Sequence, residues 1–356
     1  MINSEQIRSK KRSGSANRLK QRSKATIVGV SFIFCATGTA LGDETTETLV
    51  LSVENDVFTG SDNQYTNGVS ITWSSDELVR YDKRAPIRKW ASIFQFLPGF
   101  DPNQSDSFVS LSLIHEMNTP SDITIPDPPL DDQPYSGVLL FDTSLYSKTE
   151  RWNQAWSVRV GAVGPITQAD HLQTSYHEWI GADEPLGWDT QLPNEVIVNL
   201  GYTAGYTDWY LETPSGLEWR VSPVVNAELG TYATAVGGGL FLEAGNGLEN
   251  TLGTASLGQG LGSIVGIGSK PTDEWKVSAY AGIGGYAVGH YLPLDGTVFR
   301  DSRSVDADPY LAFGSLGVTA RYKKLVASFG LTFGATPFED EDDDIDYGAL
   351  SIGWHF

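Results

Sequence analysis

The chain has 356 residues with 24 basic and 44 acidic side chains, a net charge of −20, 38 Gly, 10 Trp, 15 Tyr, 15 Phe and one cysteine. The acidic excess excludes a nucleic-acid partner, whose phosphates require cationic neutralisation. The lone thiol, Cys35, excludes a disulfide framework and a cysteine-rich metal site.

Residues 1–42 read as an export signal, ahead of a single domain over 43–356. Eight basic residues lie between Arg8 and Lys24, and the apolar run ATIVGVSFIFCATGTALG follows. Small residues offer cleavage after Ala40 or Gly42. The run is short of the roughly 20 residues that a membrane helix needs, and glycines and threonines dilute it, which disfavours an anchor. Removing the signal's eight basic and one acidic residue leaves 16 basic against 43 acidic residues, a net of −27, and no thiol. Such a balance suits a divalent cation, or an anionic ligand bridged by one.

The mature chain opens on LVLSVENDVFTGSDNQYTNGVSITW, where Leu49, Leu51 and Val53, then Val69, Ile71 and Trp73, alternate with polar neighbours. A period of two marks half-buried strands. Similar segments recur near 107–117, 136–149, 154–163, 194–211, 217–226, 232–244, 274–290, 306–322, 325–336 and 347–356, giving twelve with the first pair. In the last, YGALSIGWHF, Leu350, Ile352, Trp354 and Phe356 share one face. A final strand ending on Phe is the kind of assembly signal that outer-membrane barrels carry. Even strand number, apolar-out alternation and abundant aromatics fit a closed transmembrane sheet. The expected fold is all-β, an antiparallel transmembrane β-barrel of about 12 strands; a soluble periplasmic β-sandwich is the alternative.

With both termini in the periplasm, odd strands rise to the cell exterior. External connections then fall at 56–65, 118–135, 164–193, 227–231, 291–305 and 337–346. The periplasmic connections 81–106 and 245–273 are longer than barrel turns usually are.

Residues that strand formation does not explain gather at the external lips. By alternation, Asp56 extends the inward register of Val50, Ser52 and Glu54, and Thr66 that of Gly68, Ser70 and Thr72; Asn55 falls outward unless a bulge re-aims it. The segments HEMNTP (115–120), DDQPYSG (131–137) and VGP (163–165) flank other lips. The connection after VGP contains ADHLQTSYHEWIGADEPLGWDTQLPNE, Ala169–Glu195. Its first twelve residues lack Gly and Pro and precede Gly181, which predicts a short capped helix. Leu172, Tyr176 and Trp179 or Ile180 supply an apolar stripe for leaning on the barrel rim, while Gln173 and His177 share a face. The acidic run EDEDDDID (339–346) lacks the spaced Gly of a calcium loop and reads as a solvated segment. No G-x-S-x-G elbow, H-E-x-x-H zinc pair or phosphate loop occurs.

Five pieces together, SVENDVFTGSDNQYTNGVSITW, DDQPYSG, VGP, HEWIGADEPLGWDTQLPNE and LPLDGTVFRDSRSV (292–305), resemble the outer-membrane lipid A 3′-O-deacylase family, the LpxR-like proteins. They occur in matching order over nearly the whole mature chain. The resemblance implies a twelve-stranded barrel and hydrolysis of the 3′-linked acyloxyacyl ester of lipid A at the outer leaflet. It implies His177 as general base, with Asp183 orienting or polarising it. A calcium ion would be held near the Asn-Asp end of the first strand, with Asp56 as ligand and Asn55 and Thr66 assisting. Gln173 matches a family Gln one turn before the His. Two departures stand out: Gln133 where the family commonly has Arg, and Ser136-Gly137 for a common Ala-Gly.

The expected partners are lipopolysaccharide, the outer membrane and, during insertion, the barrel assembly machinery; a monomer is expected. Two other readings keep the fold: a channel or structural barrel without activity, and a phospholipase of broader acyl range.

Overall fold

The computed structural model describes residues 47–59, 65–76, 97, 106–248, 251, 269–335 and 346–356. The expected signal, the tip of the first hairpin and most of the connections 81–106, 245–273 and 337–346 lie outside the described residues.

Among the described residues, thirteen strands form one antiparallel sheet. They are β1 (Thr48–Asn55), β2 (Tyr65–Ser74), β3 (Asp106–Asn118), β4 (Ser136–Lys148), β5 (Trp152–Val163), β6 (Glu195–Tyr206) and β7 (Trp209–Glu212). After them come β8 (Glu218–Gly230), β9 (Ala233–Gly245), β10 (Thr272–Tyr291), β11 (Tyr310–Lys323), β12 (Leu325–Gly334) and β13 (Asp346–His355). β1 pairs with β13 from Thr48↔His355 to Asn55↔Gly348, which closes the sheet on itself. β6 and β7 both pair with β8. Between Gly205↔Val224 and Trp209↔Val221 the chain spends four residues against three, so the two are one stave broken by a bulge. The barrel therefore has the twelve staves that the alternation predicts.

Alternation decides which solvent each residue meets. Leu51, Ile71, Leu113, Phe141, Val198, Ile352 and Trp354 are exposed on the outside, while Ser52, Ser70, Thr72, Ser112, Ser144 and Ser351 are buried in the lumen. The hydroxyls pair across the inner wall, Ser52 Oγ with Ser351 Oγ at 2.9 Å and Thr72 Oγ1 with Ser112 Oγ at 2.8 Å. An apolar exterior and a closed hydrogen-bonded wall are what a bilayer demands of a β-protein. At the end where β1 starts, Trp152 meets Tyr206 edge-on with centroids 5.1 Å apart, and Trp275 stacks on Tyr322 at 4.8 Å. Amphipathic rings favour the membrane interfaces.

The lumen carries a buried polar network. Arg159 on β5 donates to Asp142 on β4 and to Glu228 on β8, both at 2.9 Å. Asn199 donates to Glu228 at 2.7 Å and accepts the backbone N–H groups of Tyr232 and Ala233. Tyr232 then reaches Glu116 on β3, its hydroxyl 2.7 Å from Oε2. Above this network Ile114, Leu140, Ile197, Tyr232 and Leu292 form a buried apolar cluster. A cavity of about 110 Å³ lies beside Arg159 and Glu228, walled by Tyr286, Tyr291, Phe313 and Tyr347. The cluster and the ion pairs lie in the external half of the barrel.

Candidate active site at the outer rim

The β5–β6 connection builds the helix expected from its sequence. Pro165 opens a 3-10 turn (Pro165–Thr167), its fixed φ suiting a helical first position. Gln168 follows in the left-handed region at φ 58°, and α1 runs Ala169–Ile180. Gly181 ends it at φ 77°, donating its N–H to the His177 carbonyl at 2.8 Å. Gly adopts that left-handed cap with no Cβ penalty.

The face that α1 lays on the barrel differs from expectation. Leu172, Tyr176, Trp179 and Ile180 are exposed, and Ala169 and Gln173 are the buried residues. Two features select that face. Ala169 belongs to a cluster with Met117, Tyr135 and Trp188, and Trp188 Nε1 donates to Gln173 Oε1 at 2.7 Å. The apolar stripe is thus turned away from the wall that it was expected to cover. Closeness at the helix start rests on Gly137, where an added Cβ would collide with Thr167 Oγ1 and Ala169 Cβ. Gly137→Val should leave the barrel folded and heat-modifiable yet displace α1, seen as faster proteolysis within 165–181 and loss of any activity that needs His177.

His177 lies on the last turn of α1, half-buried, with Nδ1 2.6 Å from the Asp183 backbone oxygen. A carbonyl only accepts, so Nδ1 carries the ring proton and the neutral imidazole keeps its lone pair on Nε2. Asp183 meets the His177 ring through its main-chain oxygen, whereas the resemblance implies a role for its side chain.

The first lip is reshaped relative to the alternation. β1 ends at Asn55, and Asp56–Phe58 forms a 3-10 turn, so strand parity does not reach Asp56. The turn folds onto the outer surface near β13 and β12. A Cβ at Gly348 would strike the Phe58 side chain, and Phe58 meets Phe329 edge-on at 5.8 Å. Asp56 is buried, 2% exposed, and its carbonyl accepts the Thr59 N–H and hydroxyl. Asn55 keeps the outward register, paired opposite Gly348 with no bulge on β1. The bulge lies on β2 instead. The β2–β3 pairing steps from Tyr65↔Asn118 to Asn67↔Met117, leaving Thr66 as the extra residue. The Thr66 side chain lies outside what is described.

α1 touches β3 and β4, and the Asp56–Phe58 turn touches β13 and β2. His177 and the Asn55–Asp56 step therefore approach the rim from opposite sides of β2. Among the described residues no group of three His, Cys, Asp or Glu side chains converges for a metal ion. Asp56 and Asn55 are the hard oxygen groups at this step, and each already has a partner in the protein.

Sequence reasoning missed the ties that rigidify this cap. Leu186 N–H donates to Ile123 O at 2.8 Å, and Leu192 N–H to Tyr135 O at 2.9 Å. Burial pushes the Tyr135 phenol up to about 12, so it stays a donor to the Ile123 carbonyl. Both oxygens of Glu195 accept backbone N–H groups, of Val298 and Phe299, at 2.8 Å each. Arg303 reaches Asp127 and the Pro128 carbonyl. The matching piece 292–305 is thereby bound to the other two long external connections. Gln133 is buried, with its N–H on Asp132 Oδ1 at 2.7 Å.

A comparison with curated protein sequences finds no match. Among solved structures, LpxR from Salmonella typhimurium superposes with a TM-score of 0.70 at 20% identity, covering 87% of this chain and 100% of that one. The β domain of the Bordetella autotransporter BrkA gives a TM-score of 0.42 at 10% identity, covering 88% and 99%. The first match establishes the shared barrel fold. The family described as outer membrane protein LpxR matches residues 26–356, so the chain belongs to the LpxR family and is an outer-membrane β-barrel.

Proposed function

We propose that this barrel is an ester hydrolase that removes the 3′-linked acyloxyacyl chain of lipid A in the outer leaflet. The observation that carries the reading is His177, held at the external rim with Nδ1 on the Asp183 carbonyl and Nε2 left as the basic nitrogen. With no Cys in the mature chain and no G-x-S-x-G motif, an activated water is the economical nucleophile. His177 Nε2 takes a proton from that water as its oxygen adds to the ester carbonyl. The same nitrogen returns the proton to the sugar oxygen as the carbon–oxygen bond breaks, releasing the fatty acid. Asp183 holds the ring in the required tautomer through its main chain.

Developing charge on the carbonyl oxygen needs a partner. Asp56, with Asn55 and Thr66 beside it, would hold a calcium ion whose chemistry is Lewis-acid polarisation of that carbonyl. The exposed Leu172, Tyr176 and Trp179 of α1 give the rim an apolar surface suited to acyl chains. The buried ion pairs and apolar cluster in the lumen weigh against the channel reading.

The test is mass spectrometry of lipid A from cells with and without the protein. Loss of one acyloxyacyl unit is expected, and chelation of calcium should stop it while the barrel stays folded. An unchanged spectrum in the presence of calcium rejects the enzyme; unchanged turnover in chelator removes the metal from the mechanism.

A further inference from the structure

The cavity beside Arg159 and Glu228 has a polar end built by two strands. Asn226 on β8 and Tyr286 on β10 both lie opposite Gly237 of β9, so the three form one cross-strand row on the inner wall. Gly237 leaves that row open. A Cβ there would strike the Tyr286 ring, which therefore leans over β9 and carries its hydroxyl toward Asn226. Asn226 is 4% exposed, and both residues line the cavity. Asn226 Oδ1 and Tyr286 Oη are buried there with no partner in the protein. Buried polar groups almost always have one, so the pair calls for a physical account.

Their chemistry specifies the missing group. Asn226 Nδ2 donates at 2.8 Å to Thr203 Oγ1, its neighbour across the β6–β8 ladder, which leaves Oδ1 as an acceptor. Tyr286 Oη both donates and accepts. One hydroxyl between them satisfies both, donating to Asn226 Oδ1 and accepting from Tyr286 Oη. The charged groups of the wall are already engaged, since Arg159 donates to Glu228 at 2.9 Å. An ion would find no free counter-charge in that pair, so the fitting ligand is neutral.

The rest of the wall specifies the body of the ligand. Phe313 stacks on Tyr286 with centroids 5.9 Å apart and planes at 27°, and Val288, Leu311 and Tyr347 add apolar surface. Flat rings pack well on one another in offset stacks. The cavity of about 110 Å³ approaches the roughly 150 Å³ of an engineered cavity that takes one benzene ring. Water satisfies the polar end but leaves the ring-lined wall hydrated, whereas a ring bearing one hydroxyl covers both. The lining includes Tyr291 and Gly334, the last residues of β10 and β12, so the cavity extends to the external ends of those strands.

We propose that this cavity binds one small neutral aromatic alcohol of phenol size. Its hydroxyl lies between Asn226 Oδ1 and Tyr286 Oη, and its ring lies against Tyr286 and Phe313. The site is built mainly on β8 to β12, whereas α1 rests on β3 and β4, so the inference stands apart from the ester-hydrolase reading.

The test follows para-fluorophenol and fluorobenzene by fluorine NMR with the folded full-length barrel in detergent. Saturable one-to-one binding of para-fluorophenol, displaced by phenol, is expected. Fluorobenzene should bind about fivefold or more weakly, the worth of one net hydrogen bond. Tyr286→Phe keeps the ring and removes the hydroxyl, and Asn226→Leu keeps a similar volume and removes the acceptor. Each should bring the preference below about twofold. Ala235→Phe fills the cavity from its β9 wall and should abolish saturable binding of both probes. Heat-modifiable migration checks that each variant is folded. Tyr286→Phe, which deletes a buried unpaired hydroxyl, should fold as the parent does. No saturable binding by the parent means that the cavity holds water only, and overturns the proposal. A preference kept in both Tyr286→Phe and Asn226→Leu, or binding kept in Ala235→Phe, places the probe elsewhere and overturns it as well.

Discussion

Replacing His177 by alanine is expected to lower lipid A deacylation by about 10²–10⁴-fold, the usual worth of a positioned acid–base group. The barrel should remain heat-modifiable, because the ring is half-buried on an external helix and supports no stave. Its hydrogen bond runs to Asp183 O, six residues on, within the same connection. The measurement is fatty-acid release from purified lipid A by folded variant and parent. Asp183→Ala is the informative companion, since the contact uses the main chain and an alanine keeps the carbonyl. That variant should retain activity within about threefold, a small part of the acid–base effect. Full activity in His177→Ala would show that another group activates the water. An Asp183→Ala loss as deep as that of His177→Ala would return the orienting role to the carboxylate.

The fold was legible because the bilayer writes a simple rule into the strands. Apolar and polar residues alternate wherever one face meets lipid and the other a packed polar lumen, and the closing strand around Leu350, Ile352 and Trp354 shows it plainly. The helix from Ala169 to Ile180 was legible from its lack of breakers and from Gly181. Two features of the site were not. Parity fails beyond a strand end, and β1 stops one residue before Asp56. Helix amphipathicity also misleads where the outside is oily. On a soluble protein Leu172, Tyr176 and Trp179 would pack inward, but at a membrane rim the apolar stripe can remain exposed. The choice of the Gln173 face depended on Trp188, fifteen residues away, and on a contact at Gly137 in another strand. Neither leaves a periodic trace.

Arg159→Met should be the most damaging single change to stability, costing about 3–5 kcal/mol, because it strands buried carboxylates. Arg159 has a side chain only 7% exposed and lies between Asp142 and Glu228, themselves 8% and 7% exposed. Removing the cation leaves two like charges in a packed lumen, with Asn199 and Ser144 as the neutral partners that the network still supplies. The surface pair Arg151–Asp208, 3.6 Å apart with side chains 67% and 46% exposed, is the contrast. Breaking it by Arg151→Met should cost less than about 1 kcal/mol. Urea unfolding in lipid vesicles, followed by tryptophan fluorescence and by loss of heat-modifiable migration, measures both. A third variant separates lost charge balance from lost packing. Asp142→Asn, Arg159→Met and Glu228→Gln together remove every charge while keeping similar volume, and should recover most of the single-mutant loss. If the triple variant is as unstable as Arg159→Met, the guanidinium contributes through shape and hydrogen bonding rather than by neutralising its neighbours. If Arg159→Met costs no more than Arg151→Met, the lumen admits enough water to solvate the two carboxylates, and the channel reading regains its footing.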